Sequence, residues 1–68
     1  MNDPILGWQK VLVDALNSGK TVSILVDGTY KPYIGKVEKV SGNVVTLKNE
    51  YATEYVSIPR ITGMKVYG

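Results

Sequence analysis

Arg60 is the only arginine in a chain of 68 residues, and with Pro59 it interrupts two apolar runs. A guanidinium presents a planar fork of donors that suits a phosphate or the edge of a base. The same fork serves equally well in a surface or inter-subunit salt bridge. Asn43, after Gly42 in "SGN", carries an amide that can bond a base edge or simply complete a turn. Tyr30 and Lys31 are neighbours just beyond "DG", where a ring could stack on a base beside an ammonium that meets phosphate. Tyr33, Tyr51 and Tyr55 share that chemistry, and all of these tyrosines are also suited to packing across strands or between subunits.

Catalysis finds no support. There is no histidine and no cysteine, so the common nucleophile–base pairs, disulfides and soft zinc sites are absent. Asp3, Asp14, Asp27, Glu38, Glu50 and Glu54 are scattered without paired spacing, and Asp3 and Asp27 read as a helix cap and a turn residue. "SGK" (Ser18 to Lys20) lacks the preceding strand and the spacing of a phosphate-binding loop. The expectation is a protein that is not an enzyme and needs no cofactor or metal.

Eight Lys plus Arg against six Asp plus Glu leave a net charge of +2, too little for one copy to grip a polyanion. The apolar runs fall far short of the roughly 20 residues that span a bilayer, and no signal peptide is read, so no membrane partner and a cytoplasmic location are expected. A chain this short buries only about 60% of its unfolded surface. Without disulfides or metal, association is the remaining remedy.

The elements that must position these residues begin with a helix over about 3–17. Asp3 caps it, Pro4 occupies the first turn, and Gly19 stops it. Ile5, Trp8, Val11, Leu12, Ala15 and Leu16 recur on one face, with Trp8 packing over the mouth of whatever lies beneath. Five strands follow over about 20–67: "TVSILV", "TYKPYIGKVEKV", "VVTLK", "EYVSI" and "ITGMKVYG". They read as an antiparallel meander whose first turn, "DG", is type I′. Val37 and Val40 are three apart, so both face one core only if a bulge or sharp bend intervenes; Gly35 permits it. Pro32 belongs near the unpaired loop end of the second strand. A long bent second strand points to a mainly β fold: one domain over 1–68, an N-terminal α-helix followed by a strongly bent five-stranded antiparallel SH3-like barrel. Its outer strands, the fourth and fifth, leave backbone free to pair with another copy, and a heterologous contact of that kind closes into a ring.

"DPIL", "VSILVDG" and "GKVEKVSGNVVTLKN" (Gly35 to Asn49) together resemble the Sm/LSm family, most of all its bacterial Hfq-type members. The resemblance implies an Sm-like barrel, a homo-oligomeric ring of about five to eight subunits joined through strands four and five, and binding of single-stranded RNA around the pore. On that implication Arg60, Asn43 and Gly42 lie near the pore, while Tyr30 and Lys31 lie on the face opposite the helix. Lys20, Lys36, Lys39 and Lys48 form a solvated surface that a ring repeats, turning weak contacts into avidity. The second half departs from the pattern: "YVSIPRITGMKV" contains neither Arg-Gly nor Tyr-Lys-His, and Ser41 to Asn43 offer no ring. The other expectation is therefore a ring-forming structural or protein-interaction module without the RNA pocket.

Overall fold

The computed structural model describes the backbone of residues 4–68 and the side chains of residues 7–68. Helix α1 runs Pro4–Ser18; the expected cap at Asp3 and the side chain of Ile5 lie outside the described residues. Leu12 and Ala15 are buried, with Trp8 and Leu16 half-buried against the core. Val11, expected on the same stripe, is 36% exposed because it sits at the margin of the face these four define. Gly19 ends the helix at φ 66, its N–H donating to the Leu16 carbonyl (3.3 Å) while Lys20 N–H donates to Ala15 (3.0 Å). This paired closure satisfies two carbonyls the helix would otherwise leave open.

Five strands follow: β1 (Thr21–Val26), β2 (Tyr33–Ser41), β3 (Val44–Lys48), β4 (Thr53–Ser57) and β5 (Ile61–Tyr67), with a single 3₁₀ turn at Ile58–Arg60. All pairings are antiparallel, in the order β4-β3-β2-β1-β5. The meander therefore holds only for β1 to β4. After the 3₁₀ turn the chain crosses over and β5 pairs with β1, from Thr21 opposite Tyr67 to Val26 opposite Ile61. The sheet is not closed: β4 and β5 are its two edges.

The first hairpin differs from the expected two-residue turn. Gly28 alone has positive φ, at 78°, whereas a type I′ turn needs it at both central positions. Residues 27–32 form a loop, and β2 begins only at Tyr33, just after Pro32. The anticipated irregularity in β2 is present. Val37 lies opposite Leu47 but Lys39 lies opposite Thr46, so Glu38 is the extra residue of a bulge. Gly35, three residues earlier, has another reason to be glycine: a Cβ there would fall 2.9 Å from the Lys48 carbonyl oxygen. The strand needs glycine for close approach and takes its bulge at Glu38.

Every element contributes to one core: Leu12 and Ala15 from α1, Val22 and Ile24 from β1, Val37 from β2, and Val45 and Leu47 from β3. Val56, Ile58 and Ile61 complete it from β4, the 3₁₀ turn and β5. Each fully buried aliphatic side chain contributes about 1.5–3 kcal/mol, so this small interior supports a modest stability. Among the described residues no helix is long and apolar enough to cross a membrane.

Candidate functional site

Ser57-Ile58-Pro59-Arg60 folds locally for clear reasons. Ile58 is fully buried and anchors the turn in the core; Pro59 sits where its fixed φ suits a helical start. Ile61 N–H then bonds back to the Ile58 carbonyl and closes it. With Ile58 pointing in, Arg60 is presented outward.

Arg60 is held at two points by one residue. Its Nε donates to Asp27 Oδ1 at 2.8 Å, and its carbonyl accepts from the Asp27 N–H at 2.9 Å. The side chains are 63% and 58% exposed, so the ion pair contributes about 0.2–1 kcal/mol and matters more for position than for stability. Among the described residues neither Nη has a partner. The sequence assigned Asp27 only to a turn; nothing local in "VDGT" announces a bond to a residue 33 positions on.

Gly42 and Asn43 form the turn between β2 and β3, with Gly42 at φ 59. Their carbonyls are engaged: Gly42 accepts from Gln9 Nε2 of α1, and Asn43 accepts from the Ile58 N–H at 2.8 Å. The Asn43 amide is exposed and has no partner among the described residues. Ile58 thus ties the Asn43 turn to the segment that carries Arg60, although Asn43 does not line the cleft beside Arg60.

Tyr30 and Lys31 go elsewhere. Tyr30 is 97% exposed and, with Pro32, lines an open groove with Ser23, Leu25, Met64 and Lys65 of β1 and β5. The neighbours of Arg60 are instead Val26, Thr29, Tyr33, Tyr55, Val56 and Ser57, which with Asp27 enclose a cleft of about 250 Å³. That cleft lies where β4 curls back towards the end of β1, a proximity that strand pairing alone does not reveal. Of the tyrosines read from sequence, Tyr33 and Tyr55 are the two that reach Arg60's surroundings.

The remaining charges do not form a site. Lys36 and Lys48 are directly opposite on the outer face, an unfavourable placement for like charges, but Glu38 and Glu50 line the same groove. Among the described residues no three acidic side chains gather as a metal would require. The family model described as Domain of unknown function (DUF6897) matches residues 9–65. No curated protein and no solved structure matches the chain.

Proposed function

The chain belongs to the DUF6897 family, and for this member we propose an Sm-like role: copies joined edge to edge into a homo-oligomeric ring that binds single-stranded RNA. The observation that carries the reading is the pair of free edges. Strand order leaves β4 and β5 unpaired on opposite sides of one open sheet, which suits a heterologous contact repeated around an axis. The bulged β2 and the curl that brings β4 towards β1 support a barrel of the Sm type. Arg60 and the exposed Asn43 amide supply donors; Tyr30 in its groove supplies a ring and the exposed Lys31 beside it in sequence a cation. Repetition of a +2 protomer then provides the positive potential that a single copy lacks.

A second reading, a ring-forming structural or protein-interaction module, is favoured by one fact: Asp27 already neutralises Arg60. Light scattering coupled to size exclusion, followed by fluorescence polarisation with oligouridine and oligoadenosine, separates the two. The RNA reading expects a multiple of the protomer mass and binding that weakens steadily with added salt. A multimer with no affinity for either oligomer selects the structural module, and a monomer removes both.

A further inference from the structure

Asp27 engages the Arg60 guanidinium along one side only, through Nε. Gly28, at φ 78, turns the loop so that it passes Nη2, where even a Cβ would come no nearer than 4.0 Å. The end of the guanidinium carries two parallel Nη donors that have no partner among the described residues, on a side chain 63% exposed and anchored at Nε. Such a fork meets two adjacent acceptors: the O6 and N7 atoms of guanine, or two oxygens of a phosphate. The walls of the cleft favour the base. Val26, Tyr33 and Tyr55 line the same space and offer a flat base apolar surface and rings to stack on, whereas the Asp27 carboxylate beside the fork repels a phosphate. At about 250 Å³ the cleft is below the range of about 300–1,000 Å³ for drug-sized ligands, a size suited to one base. Adenine offers a donor where guanine has O6, and uracil lacks the second acceptor.

We propose that this cleft takes an unpaired guanine base of single-stranded RNA, with Arg60 donating to O6 and N7 and Asp27 acting as the positioning residue that fixes the fork. The proposal rests on the RNA-binding reading above and adds a base preference to it. It also gives the Asp27–Arg60 pair a purpose that its small contribution to stability does not.

The test is fluorescence polarisation with a short oligouridine carrying one central guanosine, compared with the same oligomer carrying inosine, adenosine or 7-deazaguanosine there. Inosine keeps O6 and N7 and is expected to match guanosine. Adenosine is expected to bind about 5- to 150-fold more weakly, with 7-deazaguanosine, which loses only N7, in between. Arg60→Lys, which lacks the fork, should bring guanosine down to the adenosine level. Asp27→Ala should reduce the discrimination, and Asp27→Asn, whose amide oxygen still accepts from Nε, should restore most of it. Equal affinity for all four oligomers overturns the guanine site while leaving RNA binding intact. A guanosine preference that survives Arg60→Lys overturns it as well. Absence of binding to every oligomer overturns both proposals, and the comparison of bases in the unaltered protein holds whether or not the variants fold.

Discussion

Gly35 shows how much one missing methyl can decide. A Cβ there would approach the Lys48 carbonyl oxygen at 2.9 Å and its carbonyl carbon at 3.1 Å, and both belong to backbone that cannot swing aside. Gly35→Ala is expected to push β2 from β3 and cost about 1–3 kcal/mol, read as a lower midpoint in urea unfolding. Gly63→Ala has open space and negative φ, so it should stay within about 0.5 kcal/mol. The irregularity of the second strand was legible from the spacing of Val37 and Val40, but its place was not: the bulge falls on Glu38, where pairing with Leu47 and Thr46 shifts, and Gly35 answers a close approach to β3 that the spacing does not show. Arg60 was legible as an exposed donor; its partner Asp27 was hidden, since the bond spans two loops that meet only after folding.

Among the elements, helix α1 and strands β1 and β3 follow directly from apolar periodicity and turn residues. The second strand was read too early because Tyr30 and Pro32 continue an alternation that the chain spends on a loop. Side chains on α1 give the sharpest check of how the helix is seated. Leu12 is fully buried and Leu12→Ala is expected to cost about 2–5 kcal/mol. Val11→Ala, one position away and at the margin of the buried face, should change stability by under about 1 kcal/mol. Thermal denaturation of the two variants side by side reads this contrast; equal losses would mean that α1 is rotated from the described orientation.

For the whole molecule the decisive property is the open sheet. Successive N–H groups along a strand point in opposite directions, so at Lys65 and Val66 of β5 one faces β1 and the other faces the free edge. Lys65→Pro and Val66→Pro should therefore behave differently. The variant that removes the N–H facing β1 is expected to unfold the domain. The variant that removes the edge-facing N–H should remain folded and lose self-association on light scattering. If neither variant alters the mass of a multimer, β5 is not the joining edge. The order of strands was legible only in part: the two edges were read correctly, yet nothing in the local pattern marks β1 as the partner of β5.

That β1–β5 ladder has a consequence for how the chain reaches its fold during synthesis. The first strand waits for the last: Thr21 pairs with Tyr67, and the intervening hairpins can form while one side of β1 is still bare. Closing so long a loop is entropically costly and slow compared with local turns. A nascent chain on the ribosome therefore holds an incomplete sheet, with one side of β1 exposed as an adhesive border, until Ile61–Tyr67 clears the exit tunnel and pairs with it.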